Sequence, residues 1–369
     1  MKISVLASRF NVTGVPLAQR RFARALARRG HQVEFVIGHL DSEYDSADVD
    51  DFLVRVLGQR RVRRMLFALI SYFRQTNPEV IFSAEDHMNV AVLLAAILSR
   101  SRAKISGSSR IHPMDRMAYS KKFFTKGWFM RELLKRFSWR ADALTCVSED
   151  MVLEYQKLFR GSPHVCVYNI VKDAAAMERS REPVEGEWFA DKGYPTIISA
   201  GTLTKRKGFS DLIHAFQRVA RTRTARLVIL GEGELRGSLV SLIYDLGLHE
   251  LVHLPGNVEN PLKYFAHSDV FVLSSYSEGL PNVPVEAMMC GCTPVSTNCP
   301  TGPREVLQDG KYGYLVPVGD PEAMAAAIGR ALDNPIPKQI LEEAVAPFEE
   351  QRVIDRHFEV LGLCEKLST

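Results

Sequence analysis

Two carboxylates eight positions apart, Glu278 and Glu286, mark the part of this chain best equipped for chemistry. They bracket the run Ser277-Glu278-Gly279-Leu280-Pro281-Asn282-Val283-Pro284-Val285-Glu286-Ala287. Asp269–Ser274 ahead of it is apolar and reads as a strand. Glu286–Gly291 after it is rich in small residues and reads as the opening of a helix. A strand, a Gly/Pro loop and a helix start form a site for anions, because the first N–H groups of a helix and its dipole attract phosphate. Carboxylates beside such a loop can accept hydrogen bonds from sugar hydroxyls. The combination fits a ligand that joins phosphates to a sugar.

A second run, Ala200-Gly201-Thr202-Leu203-Thr204-Lys205-Arg206-Lys207-Gly208, also lies between a strand and a helix and carries three cations. Fixed positive charge there would stabilise a phosphate leaving group as its charge grows. A third, Asn11-Val12-Thr13-Gly14-Val15-Pro16, separates the first strand from the first helix. Gly14 would let the backbone approach a phosphate closely. A fourth, Ser108-Ser109-Arg110-Ile111-His112-Pro113, follows a strand and offers His112, with Arg110 as its rival. Each has a structural alternative: a helix-end acid, a solvated basic loop, a plain turn, a packed histidine.

The pattern Glu-Gly-x-Pro-x-x-x-x-Glu-Ala, placed late in an α/β chain, resembles family 4 of the retaining glycosyltransferases, the group 1 glycosyl transferases. The resemblance implies the GT-B architecture, two Rossmann-like domains facing across a cleft. It implies catalytic roles for Glu278, Lys207 and His112. It implies donor contacts from Gly14, Thr202, Arg206, Lys207, Gly233, Val258, Glu278, Gly279, Leu280, Asn282, Val283 and Glu286. Glu278 would lie near the donor sugar, Glu286 at the ribose hydroxyls, and the Asn282 and Val283 N–H groups at the diphosphate. The chain departs from the family in two places. Thr202 stands where the family has an arginine, which leaves Arg206 or Lys205 as candidates to supply the charge, and Gly14 stands where two glycines are common. The resemblance further implies a closing cleft that excludes water, and front-face attack in which the leaving phosphate takes the acceptor proton.

Other motifs are weaker. Gly231-Glu232-Gly233-Glu234-Leu235-Arg236-Gly237 does not match Gly-x-Gly-x-x-Gly and is a weak dinucleotide signal, but it resembles the family's Gly-x-Gly-x-x-x element, which is expected to flank the nucleotide. Asp48-Val49-Asp50 imitates a metal-binding Asp-x-Asp but sits in an acidic, turn-like run. No His or Cys cluster has zinc spacing, so no metal and no cofactor beyond the UDP-sugar co-substrate is expected. The six cysteines show no Cys-x-x-Cys spacing and read as reduced, buried thiols.

The net charge of +4 hides an asymmetry. Residues 1–173 hold 28 Lys and Arg against 17 Asp and Glu, a net of +11, and the remainder is −7. Arg100–Arg140 alone carries 12 basic and 2 acidic residues, interleaved with large aromatics. Arg110, Lys121, Lys122, Lys126 and Trp128 are the candidates there for contact with an acceptor or an anionic membrane surface. No nucleic-acid motif accompanies the charge. No apolar run reaches the roughly 18 residues of a membrane span, and the N-terminus lacks a signal-peptide pattern. The expected location is the cytoplasm, at the inner face of the membrane.

A chain of 369 residues is too long for one ordinary core. The first half alternates strands (Ile3–Ala7, Gln32–Gly38, Val80–Ser83, Ile105–Gly107, Ala143–Ser148, Val165–Tyr168) with helices (Val15–Arg29, Val56–Gln75, Met88–Leu98), which predicts a doubly wound parallel sheet. Alternation restarts at Pro195. The expected domains are 1–173, rejoined by a C-terminal helix at 348–369, a linker at 174–194, and a nucleotide-sugar domain at 195–347. The expected activity is retaining, metal-independent transfer from a UDP-sugar to a saccharide or lipid-linked acceptor of lipopolysaccharide, capsule or glycolipid. A nucleotide-sugar epimerase of the same fold and a non-catalytic sugar-nucleotide-binding protein are the alternatives.

Overall fold

The structure, a computed structural model, describes residues 1–9, 14–40, 52–110, 125–159, 164–184, 187–190 and 193–363. The chain divides into two compact units, Met1–Ile170 with Glu350–Thr369, and Val171–Glu349.

The first unit is built on seven parallel strands, β1 (Lys2–Ala7), β2 (Gln32–Ile37), β3 (Leu53–Val56), β4 (Val80–Ala84), β5 (Lys104–Ser109), β6 (Ala143–Cys146) and β7 (His164–Cys166). Their order is β3-β2-β1-β4-β5-β6-β7. Strand runs such as Ile-Ser-Val-Leu-Ala and Val-Ile-Phe are nearly continuous in apolar residues because helices cover both faces. Ile3, Val5, Phe35, Ile37 and Phe82 pack against Phe22 and Leu26 of helix Gly14–Arg28, and against Ile354 and Phe358 of helix Glu350–Val360. The expected helix Val56–Gln75 begins later, and its first residue instead closes an edge strand that was not expected. Leu53-Val54-Arg55-Val56 forms the edge strand β3, and the helix spans Val62–Thr76. β-branched residues in alternation favour the strand, and Gly58 interrupts the chain before the helix.

The second unit has six parallel strands, β8 (Thr196–Ala200), β9 (Arg226–Leu230), β10 (Val252–Gly256), β11 (Val270–Leu273), β12 (Thr293–Thr297) and β13 (Tyr314–Val316), in the order β10-β9-β8-β11-β12-β13. Helix Phe209–Ala220 buries Leu212, Ile213 and Phe216 on one face, and helix Pro321–Asp333 buries Met324, Ala327 and Ile328 in the same core. The segment expected as a linker, 174–194, belongs to this unit. It forms helices Ala174–Ser180 and Glu187–Ala190, with Ala176 in the core of Phe265 and Phe271 and the half-buried Trp188 and Phe189 packed against that core. Its many charges mask two short apolar patches, which is why composition reads it as a connector. Asn260 locks it further, donating to Arg179 O and Glu182 Oε2, both at 2.8 Å. Helix Lys338–Val345 was not anticipated; it precedes the expected C-terminal helix.

Both sheets run outward in two directions from their first strand, so each has a topological switch point, at β1/β4 and at β8/β11. Ligands of open α/β sheets bind outside the carboxyl ends of the strands at such points.

Candidate active site

The two cation- and carboxylate-bearing loops leave the sheet at the β8/β11 switch point. β8 and β11 are adjacent, with Val270 beside Ile197. Gly201–Gly208 follows β8, and Ser274–Pro281 follows β11. The loops are stitched together by backbone: Ser274 Oγ donates to Lys207 O at 2.7 Å and Tyr276 N donates to Arg206 O at 2.8 Å. Gly208 makes the stitching feasible. Its φ is +64°, and a Cβ there would lie 2.1 Å from Ser274 O. Gly201 provides room too, since its Cβ would press on the Lys207 stem at 3.2 Å.

Glu278 is the hub. Lys207 Nζ and Ser275 Oγ each donate to Oε1 at 2.6 Å. Arg206 Nη1 donates to Oε2 at 3.2 Å and to Ser277 O at 2.7 Å. The Glu278 side chain is 8% exposed and that of Lys207 13%, while Arg206 is 51% exposed. Burial alone would raise the Glu278 carboxyl pKa. The Lys207 charge and hydrogen bond, then the Ser275 hydroxyl and the Arg206 charge, outweigh burial and hold it below the ordinary value. Glu278 is therefore an ionised, positioned acceptor with two cations in contact.

Sequence reasoning missed the residues that brace this hub. Thr297 Oγ1 donates to Ser275 O at 2.6 Å, and Thr301 Oγ1 donates to Glu278 O at 2.5 Å. Tyr276 donates to Asp211 Oδ2 at 2.6 Å, and that bond raises the phenol pKa. The available signal was the run Thr297-Asn298-Cys299-Pro300-Thr301-Gly302-Pro303, a Gly/Pro loop after a strand like the one that drew attention to Glu278.

The helix expected to open at Glu286 opens at Asn282 and runs to Met289, with Pro281 as its N-cap. Asn282 and Val283 thus form its first turn, and the half-buried Glu286 lies one turn further on. Burial, with the Glu286 charge adding to it, pushes the Cys290 thiol up to about 12. Gly279 and Leu280 are half-buried in the intervening loop. Across from it, Leu203 N donates to Glu232 O at 2.9 Å, and Gly233 lies against the Leu203 backbone. Thr202 and Lys205 are exposed. Val258 packs beside the Phe265–Phe271 core.

The candidates of the first unit are more scattered. Gly14 is the first residue of helix Gly14–Arg28. Arg110 follows β5 and donates to Ser108 Oγ at 3.0 Å, to Gln19 Oε1 at 3.3 Å and to Asn169 Oδ1. Burial pulls its pKa down to about 10, against the charge of Glu85. Lys126 opens helix Lys126–Phe137 and is exposed. Trp128 packs edge-on against Phe129, centroids 4.9 Å apart, and Thr125 Oγ1 caps its N–H. His112, Lys121 and Lys122 lie outside the described residues, as do Asp48-Val49-Asp50 and Cys364. Phe67 on helix Val62–Thr76 is 79% exposed beside Arg63 and Arg64, and Phe129 and Trp139 are exposed too. Cys146, Cys166, Cys290, Cys292 and Cys299 are free thiols. Among the described residues no helix is long and apolar enough to cross a membrane.

Two family models cover most of the chain. Glycosyl transferases group 1 matches residues 180–346, and Glycosyl transferase 4-like domain matches residues 13–169. An uncharacterized glycosyltransferase of Methanocaldococcus jannaschii is 30% identical over 69% of this chain and 67% of its own length. A Campylobacter jejuni N-acetylgalactosaminyltransferase acting on a diphospho-undecaprenol-linked saccharide is 34% identical over 53% of this chain and 52% of its own. The Rhizobium meliloti lipopolysaccharide core glycosyltransferase LpsE is 36% identical over 46% of this chain and 50% of its own. The matched region thus spans half to two thirds of these relatives. Among solved structures, Anabaena HepE in complex with UDP superimposes with a TM-score of 0.77 at 18% identity, over 98% of this chain and 100% of that one. A Rickettsia africae glycosyltransferase gives 0.78 at 14% identity, over 98% and 97%. The paired parallel sheets are those of the GT-B fold, and the chain belongs to the group 1 glycosyltransferases.

Proposed function

We propose that the protein moves a sugar from a UDP-sugar to a saccharide or lipid-linked acceptor in surface-glycan biosynthesis, with retention of anomeric configuration and without a metal ion. The observation that carries the reading is the contact of Lys207 and Arg206 with the buried Glu278 at the β8/β11 switch point, one short loop from the start of helix Asn282–Met289. Lys207 and the first turn of that helix take the diphosphate, whose charge grows as its bond to the sugar breaks. Glu278 accepts from the sugar hydroxyls and Glu286 from the ribose hydroxyls. The acceptor oxygen bonds to the anomeric carbon on the face the diphosphate leaves, and a phosphate oxygen takes the acceptor proton.

The relatives support this choice of substrates. HepE was crystallised with UDP, LpsE is named for lipopolysaccharide core, and the Campylobacter enzyme for a diphospho-undecaprenol acceptor. The exposed Phe67, Phe129 and Trp139, with Arg63, Arg64 and Lys126, support reversible docking on an anionic membrane surface.

The test is turnover by the purified protein, read as UDP released from a panel of UDP- and GDP-sugars with lipid-linked and soluble acceptors. UDP release that depends on acceptor supports the reading. Conversion of the donor into another nucleotide sugar, with no free UDP, identifies an epimerase, and binding without turnover identifies a sugar-nucleotide-binding protein.

A further inference from the structure

Resting on the donor site proposed above, we infer that Arg206 is the second diphosphate cation, standing in for the neutral Thr202, and that on binding it hands one oxygen of Glu278 to the sugar. Three cations follow one another in the loop after β8, and their surroundings differ. Lys207 is largely buried and bound to Glu278 Oε1 at 2.6 Å. Lys205 is exposed, and its ammonium has no polar partner among the described residues. Arg206 lies between these extremes. A single nitrogen, Nη1, serves both Ser277 O and Glu278 Oε2, the latter at 3.2 Å. Nε and Nη2 are uncommitted among the described residues, and the side chain is half-exposed. That leaves the flat two-donor edge of the guanidinium, the edge that fits two phosphate oxygens.

The root of the side chain is fixed where the head is not. Arg206 O accepts from Tyr276 N at 2.8 Å, and Tyr276 is itself tied to Asp211. An ion pair half open to water is weak, so a diphosphate can take Arg206 from Glu278 at little cost. Glu278 Oε1 stays with Lys207 and Ser275. Oε2 then loses the one partner recorded for it and faces the ligand. Recognition of the diphosphate thereby switches on recognition of the sugar through one shared carboxylate.

Calorimetric titration of the full-length protein with UDP and with UMP separates the residues. Arg206→Ala should weaken UDP binding on the order of tenfold, the loss of a charge-assisted pair, and change UMP binding far less. Lys205→Ala should leave both unchanged. Thr202→Arg added to Arg206→Ala should recover UDP affinity, which a fold defect would not allow. Wild-type UDP affinity in Arg206→Ala, or loss in Lys205→Ala instead, overturns the inference and leaves the donor site standing. Absence of UDP binding by the unsubstituted protein overturns both.

Discussion

Replacing Glu278 by Gln should make the protein less stable and yet no worse at holding UDP. Gln keeps the shape and can still accept from Ser275, but Lys207, 13% exposed, loses its counter-ion 2.6 Å away. Breaking a fully buried pair from one side costs about 3–5 kcal/mol, and a charged hydrogen bond is worth about 1.5–3. Lys207 retains some water and Arg206 more, so the lower range applies, about 2 kcal/mol. For a unit of this size that is a fall of roughly 4–8 °C in Tm. The effect must depend on pH. The folded-state pKa of Glu278 is depressed, so its contribution is full above the ordinary carboxylate pKa and is lost as pH falls through the depressed value. The Tm gap between wild type and variant should be widest near neutrality and narrow as pH falls below the ordinary carboxylate range. Meanwhile both cations are released toward a diphosphate, so UDP affinity should hold or rise while turnover falls on the order of 10²-fold. Differential scanning calorimetry at pH 7 and at pH 3.5–4, with calorimetric UDP titration, reads all three. An unchanged Tm at pH 7, or a loss of UDP affinity, would refute the picture of Glu278 as a hub that neutralises two donor-site cations.

Glu286→Ala should weaken UDP binding by about 1.5–3 kcal/mol, one charge-assisted hydrogen bond; wild-type affinity in a titration would remove Glu286 from the ribose. Turnover should survive EDTA, and abolition with rescue by Mn²⁺ would defeat the metal-free mechanism. The protein should co-sediment with anionic vesicles and less so as salt rises, each nearby basic residue being worth about 1 kcal/mol. Replacing Lys121, Lys122 and Lys126 by Glu, or Phe67 by Ser, should release it with UDP binding intact, and equal partitioning to neutral vesicles would count against an anionic surface.

The sheets were legible because parallel strands buried on both faces are short apolar runs, and Gly or polar loops punctuate them. Where the signal is mixed, reading failed. Leu53–Val56 is short, exposed at the sheet edge and carries Arg55, so the strand went unread and its last residue joined the basic helix behind it. Ala176, Trp188 and Phe189 sit among charges that hid their packing. The loop from Glu278 to Pro284 was legible for a different reason: its Glu, Gly and Pro residues are chemically uncommon together. The partners of Glu278 were half legible. Lys207 lies in a cationic run that invites attention, but Thr297 and Thr301 act through backbone carbonyls, and nothing in a threonine's neighbours announces that. The start of helix Asn282–Met289 was misplaced because Pro281 and Pro284 read as loop, although proline is well tolerated around the first turn of a helix.

The last helix has a consequence for how the molecule comes into being. His357 packs against Phe22 and Phe82 at 4.7 and 5.4 Å between ring centroids, Arg29 pairs with Asp355 at 2.8 Å, and Lys104 Nζ reaches Leu361 O at 2.7 Å. Helix Glu350–Val360 is thus a wall of the unit whose other walls were made first. On a ribosome adding about 5–20 residues per second, the stretch from Ile170 to Glu350 takes on the order of ten seconds or more. Through that interval Phe22, Phe82 and Leu26 await their cover, while the uninterrupted Val171–Glu349 emerges ready to close on itself. The unit that is synthesised first is therefore the last to be completed.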